Sequence, residues 1–222
     1  MIINRIQKTD DGSHTLYSDK IGENYHSSFG AIQESKHIFI DAGLDTIINK
    51  DIDKVRILEV GVGTGLNVLL SYLWGKINNI YIEYSGYEPY PISTNEISLL
   101  NYPAQLNVDD NIFVSIHENI GKTNNLTSSF SISITEDQIQ NAKLKANYFD
   151  VVFFDAFSPD AQPELWTPEV FKLLFDTMKT GGVLTTYSCK GTVKRAMKEA
   201  GFKIEKLPGP PGKREFLRAW KI

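Results

Sequence analysis

Cysteine is almost missing from this chain: Cys189 is the only one in 222 residues. An intrachain disulfide is therefore impossible, a thiolate zinc site lacks its ligands, and the sequence predicts no metal. Long apolar runs are missing too. The start of the chain, Met1 to Asp11, shows no apolar stretch behind its basic residue, and no later run approaches the roughly 20 residues that a bilayer-spanning helix requires. Together these absences predict a soluble, untargeted protein of a reducing cytoplasm, with no membrane partner. A general excess of positive charge is the third absence, since the net charge is -4. The charges are nevertheless uneven: Lys190 to Ile222 holds ten Lys/Arg against three Glu, which leaves thirteen basic and twenty-four acidic residues before it. On charge alone that last stretch is either a landing place for a polyanion or a solvated helix face and hairpin.

What the chain does have is enough apolar material, 41% hydrophobic and 11% aromatic residues, to close one core. Apolar runs alternate with amphipathic ones, the pattern of a mostly parallel sheet covered on both faces by helices. Strands are predicted at 55–60, 81–87, 130–134, 149–155 and 183–187. A C-terminal antiparallel hairpin is predicted from 202–207 and 215–220 around a Pro/Gly-rich loop, which makes seven strands in all. Helices are expected over 66–74, near 92–100, from Thr167-Pro168 until Gly181-Gly182, and from about 190 until Gly201. Residues 1 to about 45 precede the first sheet strand and read as an appendage or lid on a single folding unit, 46–222, with a hairpin turn at Asp10 to Ser13. The Asn/Ser/Thr-rich stretch 119–129 reads as a surface excursion.

The first predicted strand ends in Glu59-Val-Gly61-Val-Gly63-Thr-Gly65. Glycines here let the backbone approach a ligand closely. A dinucleotide fingerprint, G-x-G-x-x-G, needs glycine where Leu66 stands. The spacing G-x-G-x-G after Glu59 instead resembles the first motif of class I (Rossmann-like) methyltransferases, whose cofactor is S-adenosyl-L-methionine. Glu88, at the end of the second strand, is placed to accept hydrogen bonds from both hydroxyls of a ribose, or else is an ordinary strand-end charge. Glu136 and Asp137 follow the third strand, where Asp137 either contacts the adenine or caps the next turn.

Asp155 lies at the carboxyl end of the fourth strand, the edge at which open α/β sheets bind ligands. A carboxylate there can take a proton from an amine and aim its lone pair, although it can also simply cap a turn. The segment has company: residues 154–168 (FDAFSPDAQPELWTP), 185–191 (TTYSCKG), 207–215 (LPGPPGKRE) and 24–37 (NYHSSFGAIQESKH). In this order and over nearly the whole chain, they closely resemble the methyltransferase domain of the bifunctional tRNA 5-methylaminomethyl-2-thiouridine biosynthesis protein, the MnmC-like family. The resemblance implies S-adenosylmethionine-dependent methylation of the aminomethyl group on wobble uridine in tRNA. It assigns Glu59, Gly61, Gly63 and Glu88 to the cofactor and Asp155 to the amine. No residues remain after Ile222 for the oxidoreductase domain of the bifunctional relatives. The expectation is a stand-alone methyltransferase whose amine comes from a separate oxidoreductase.

Further residues gain roles by position. Gly65 completes the cofactor turn, and Tyr25, with His26, Phe29, Glu34 and Ser35, forms either a lid over the cofactor and uridine or a packed amphipathic segment. Lys213 and Arg214, beside the stiff loop, are expected to clamp phosphates of the tRNA anticodon region, with Lys190, Lys194 and Arg195 extending the track. Phe157, Trp166 and Tyr187 are candidates for stacking on a splayed base, Trp166 being better suited to the core. Cys189 reads as structural. Two other readings stay open: a class I methyltransferase or aminopropyltransferase for a small amine, and a non-catalytic cofactor-binding module that associates with RNA.

Overall fold

The computed structural model describes residues 4–48, 52–118 and 120–222. Strands β1 (Arg5–Lys8), β2 (His14–Ser18) and β3 (Glu23–Asn24) form a small antiparallel sheet in the order β1-β2-β3. The turn between β1 and β2 is held by Asp11, whose carboxylate accepts from Ser13 N at 2.9 Å and Thr9 Oγ1 at 2.8 Å. Helix α1 (Ala31–Ser35) continues as a wider turn through Lys36–Asp41 and is followed by a 3-10 turn, Leu44–Ile47.

The main sheet begins with β4 (Lys54–Val60), followed by α2 (Leu66–Asn78) and β5 (Tyr81–Tyr87). Three short helices come next: α3 (Thr94–Ile97), α4 (Tyr102–Leu106) and α5 (Asp110–Glu118). The chain then runs through β6 (Thr123–Thr127), β7 (Phe130–Thr135), β8 (Phe149–Phe154), α6 (Pro168–Thr177), β9 (Met178–Thr186) and α7 (Gly191–Glu199). It ends in the hairpin β10 (Lys203–Pro208) and β11 (Glu215–Trp220). The strand order is β10-β11-β9-β8-β4-β5-β7-β6, with β5, β4, β8 and β9 in parallel pairings and β7 parallel to β5.

The two faces of this sheet bury different residues because side chains alternate along a strand. Ile57, Val151 and Phe153 point into one apolar cluster with Val68 and Leu69 of α2, and that cluster also takes in Leu16, Ile38 and Phe39 from the N-terminal segment. Leu58, Val152 and Phe154 point into a second cluster with Phe171 of α6 and Met197 of α7. Burial on both faces is why β8 reads as an unbroken apolar run.

Two expectations need correction. Among the described residues the sheet has eight strands rather than seven, because β6 arises within the polar stretch 119–129 and pairs antiparallel with β7 as the edge of the sheet. An edge strand with one solvated side has no need of apolar residues, so composition concealed it; Asn119 itself lies outside the described residues. Gly181 and Gly182 do not stop α6, which ends at Thr177. They lie inside β9, where the register against β8 shifts and both exchange backbone hydrogen bonds with Lys221 at 2.7 and 3.1 Å. The glycines accommodate an irregularity rather than a helix end.

Going outward from β4, the chain fills β5 and β7 on one side and β8 and β9 on the other. The crevice between the carboxyl ends of β4 and β8 is thus the point where the winding reverses, and such crevices hold ligands in open α/β sheets.

Candidate active site

A cavity of about 670 Å³ opens at that point, within the ~300–1,000 Å³ usual for cofactor-sized ligands. Its floor is the turn after β4 and the loop after β8. Gly61 has φ +84°, and a Cβ there would stand 2.7 Å from the carbonyl oxygen of Asp155, so only glycine lets the two loops touch. Gly63, φ +52°, faces the Tyr25 ring, which a Cβ would meet at 3.0 Å. Both glycines and Tyr25 line the cavity. Gly65 does not; it precedes α2 and backs onto His117.

Glu88 lies on the cavity wall although only 9% exposed. One carboxylate oxygen accepts from Gly63 N at 2.8 Å and the other from Tyr90 N at 2.9 Å. Burial raises its pKa, while those two N–H groups act against the rise by favouring the ionised form. Each oxygen keeps acceptor capacity beyond its one backbone donor, which suits a pair of hydroxyls.

Asp155 also lines the cavity. Its Oδ2 accepts from Asn67 Nδ2 at 2.9 Å, and its carboxyl is pushed up to about 7, first by burial and then by the charge of Glu34, with Asn67 and Lys213 opposing. A carboxylate that titrates near neutrality exchanges protons well at working pH. The loop that carries it is fastened at every residue. Tyr187 Oη donates to Ala156 O at 2.8 Å and Trp166 Nε1 to Phe157 O at 2.9 Å. Phe157 N donates to Gln162 Oε1 at 3.1 Å, and Ser158 N to Glu23 Oε2 at 3.0 Å.

Sequence reading missed Asn67. From the first turns of α2 its Nδ2 donates both to Asp155 and, at 2.8 Å, to Glu59 Oε1. Glu59, expected among the cofactor ligands, is fully buried beneath the floor and does not line the cavity. Its other oxygen accepts from Tyr84 Oη at 2.7 Å, and burial pushes its carboxyl up to about 8. A motif places Glu59 at the end of β4, but the pleat decides its side, and here it turns inward while the following glycine turn reaches the ligand. The sole signal available in advance was that Asn67 lies on the first turn after the glycines.

Asp137 is also off the wall. It accepts from Gln138 N at 2.7 Å and Asn141 Nδ2 at 2.8 Å, capping its own turn, and Gln138, Ile139 and Gln140 face the cavity instead. Phe157 lines the cavity and packs edge-on to Tyr25 with ring centroids 4.9 Å apart. Trp166 is buried in the core, and Cys189 packs half-buried against the second apolar cluster.

The expected phosphate clamp divides. Arg214 is exposed, and Lys190 is exposed and pairs with Asp160. Lys213 turns inward: its Nζ is 3.0 Å from Glu34 Oε1 and 4.2 Å from the centroid of the Tyr187 ring, and all three residues line the cavity. An ammonium already paired and sandwiched in this way has little to offer a phosphate outside. Among the described residues, no helix is long and apolar enough to cross a membrane, and no group of three or more His, Cys, Asp or Glu is placed to hold a metal ion.

Comparison with known proteins agrees with this geometry. Residues 114–222 match the family model of S-adenosyl-L-methionine-dependent methyltransferases. The bifunctional protein MnmC, for tRNA 5-methylaminomethyl-2-thiouridine biosynthesis, from Polaromonas naphthalenivorans is 24% identical over 98% of this chain, and its counterpart from an Azoarcus species is 28% identical over 94%. The chain spans only 37% and 34% of those two proteins' lengths. The crystal structure of MnmC2 from Aquifex aeolicus superposes with a TM-score of 0.81 at 27% identity, covering 99% of this chain and 70% of that one. Spermidine synthase from Thermotoga maritima shares the fold, with a TM-score of 0.54 at 14% identity over all of this chain and 70% of that one. The chain thus has the fold of the class I S-adenosyl-L-methionine-dependent methyltransferases and is similar to MnmC proteins along nearly its whole length.

Proposed function

We propose that this protein methylates the aminomethyl group of wobble uridine in tRNA, converting 5-aminomethyl-(2-thio)uridine to 5-methylaminomethyl-(2-thio)uridine. The observation that carries the reading is Asp155: a carboxyl pushed up to about 7, lining the cavity beside the glycine turn, in a chain similar to MnmC almost end to end. The residues present fit S-adenosylmethionine. Gly61 and Gly63 let the turn lie close against the Asp155 loop and the Tyr25 ring at the cavity, and Glu88 offers two acceptor oxygens to a ribose diol. Gln138 to Gln140 line the part of the wall where an adenine edge would lie. When bound, the cofactor supplies a methyl group on a positively charged sulfur.

The chain's own contribution is proton handling and alignment. An aminomethyl group arrives mostly as an ammonium, which gives one proton to ionised Asp155. The freed lone pair would then accept the methyl group that S-adenosylmethionine, held by Gly61, Gly63 and Glu88, would supply, its sulfur keeping the electrons of the broken S–C bond. The product leaves as a secondary ammonium, and Asp155 returns its proton to water. Asn67 holds the Asp155 carboxylate in place, and the Tyr25 and Phe157 rings, set edge to face on the cavity wall, offer aromatic surface to a base. The exposed cations of the C-terminal stretch 190–222, Lys190 and Arg214 among them, are the proposed contacts to the anticodon region, and a separate oxidoreductase is the proposed source of the amine.

Incubation of the protein and S-adenosylmethionine with tRNA bearing 5-aminomethyluridine, followed by mass spectrometry of the nucleosides, should show one added methyl group. Bound cofactor without methyl transfer would refute the assignment. Asp155→Asn should keep cofactor affinity and lose at least about a hundredfold in turnover.

A further inference from the structure

Lys213 is carried into the cavity by the loop between β10 and β11, whose Gly209 and Gly212 sit where a Cβ would clash with Lys213 O and with the Phe29 ring. Its ammonium has two built contacts. One is the Glu34 carboxylate of α1, 9% exposed, whose other oxygen is fixed by Ser27 N at 2.8 Å. The other is the face of Tyr187, whose hydroxyl is tied to the Asp155 loop. The side chain of Lys213 is 28% exposed, so this charge is screened far less than a surface lysine's. Besides Lys213, the groups that interact with Asp155 are Glu34 from α1, Asn67 from α2, Glu59 from β4, Tyr84 from β5, Tyr102 from α4 and Tyr187 just after β9. His26 and Glu23 stand further round the same wall.

Resting on the reading that Asp155 receives an amine, we propose that Lys213 and Glu34 are positioning residues forming a charge pair that tunes the amine site. Glu34 locks the Lys213 ammonium against the wall. The fixed positive charge opposes the protonation of Asp155, against the stronger pull of burial and of Glu34, and it also opposes a second protonated nitrogen beside it, which favours the neutral, nucleophilic form of the substrate amine. A cation next to a reacting amine lowers that amine's pKa in the same way that neighbouring cations activate catalytic lysines. Glu34 acts in the opposite direction on Asp155, so the two members of the pair set the working pH between them. This role differs from that of a phosphate clamp, which would act outside the cavity and leave the titration of Asp155 alone.

The opposite signs provide the test. The titration of Asp155 is followed by carboxyl-carbon NMR in the whole protein without tRNA, using Asp155→Asn to identify its resonance. The acid limb of the kcat profile is measured on tRNA bearing 5-aminomethyluridine. Lys213→Met should move both the titration and the limb up by about one pH unit, and Glu34→Gln should move both down by about as much. Lys213→Arg, which keeps the charge, should stay near the wild type. Shifts of the same sign in Met and Gln variants, or no shift in either, would overturn the proposal. So would a Lys213→Met variant altered only in the salt dependence of tRNA binding. Opposite shifts in Asp155 titration, with no methyl transfer by the wild type, would keep the charge pair and reject the proposed substrate.

Discussion

Asn67 carries the two buried carboxyls of the site on one amide nitrogen, donating to Glu59 and Asp155 at 2.8 and 2.9 Å. Replacing it with leucine leaves the apolar packing of α2 in place but frees the Asp155 carboxylate to rotate. Turnover should fall about tenfold or more while affinity for S-adenosylmethionine, measured by calorimetry, holds. Equal losses in both would mean that Asn67 merely supports the cofactor turn. Glu59 raises a different expectation. Its folded pKa lies above its ordinary value of 4.5, at about 8, so the folded state binds its proton more tightly than the unfolded state does. That contribution to stability is complete below pH 4.5 and is lost as pH rises toward and through about 8. Glu59→Gln cannot lose it, so the melting temperature of this variant should decline less than the wild type's between pH 5 and pH 9; parallel declines would show that Glu59 does not titrate in that range. At this scale the sequence revealed residue type and rough place: Gly61, Gly63, Glu88, Phe157 and Asp155 all face the cavity. It could not show on which side of a pleat Glu59 falls, nor that Asp137 is used up by its own turn, because both depend on local hydrogen bonds.

Among the elements, those with strong periodic burial were legible, and those that derive their shape from distant partners were not. Strand β5 occupies the residues expected, Tyr81–Tyr87, because it alternates buried and half-buried positions along its length. By contrast β3, only Glu23–Asn24, has no pattern to read, yet it fixes the reactive loop through Glu23. The Glu23 carboxylate accepts from both the backbone N–H and the hydroxyl of Ser158, across 135 positions of sequence. Hydrogen bonds to a charged acceptor contribute on the order of 1.5–3 kcal/mol. Glu23→Ala should therefore raise amide hydrogen exchange about tenfold or more in residues 14–24 and at Ser158, while the sheet strands β4 and β8 keep their protection. Unchanged exchange in the N-terminal segment would show that its apolar contacts, such as Leu16 in the core, hold it without the tie.

For the whole molecule, the unequal charge distribution visible in the sequence becomes a surface. Arg195 and Lys198 are exposed on α7, with Lys194 half-buried on the same helix, Lys203 exposed at the start of β10 and Arg214 exposed on the hairpin loop. These cations lie on the last helix and the C-terminal hairpin of a chain whose net charge is -4. If tRNA lies there, each phosphate contact releases condensed counterions, and the dependence of log affinity on log salt steepens by close to one per contact. Because Lys213 is committed to Glu34, it belongs outside this count. Replacing Arg195, Lys198 and Arg214 with alanine should weaken tRNA binding and reduce the salt slope by about two to three, and Lys213→Ala alone should leave the slope unchanged. Fluorescence titrations over a range of potassium chloride concentrations measure both slopes. S-adenosylmethionine affinity serves as the control, since none of the three exposed residues lines the cavity. A triple variant with the wild-type slope would place the nucleic acid on another face, and the basic stretch from Lys190 to Ile222 would then be a solvated surface that only keeps the protein apart from its copies.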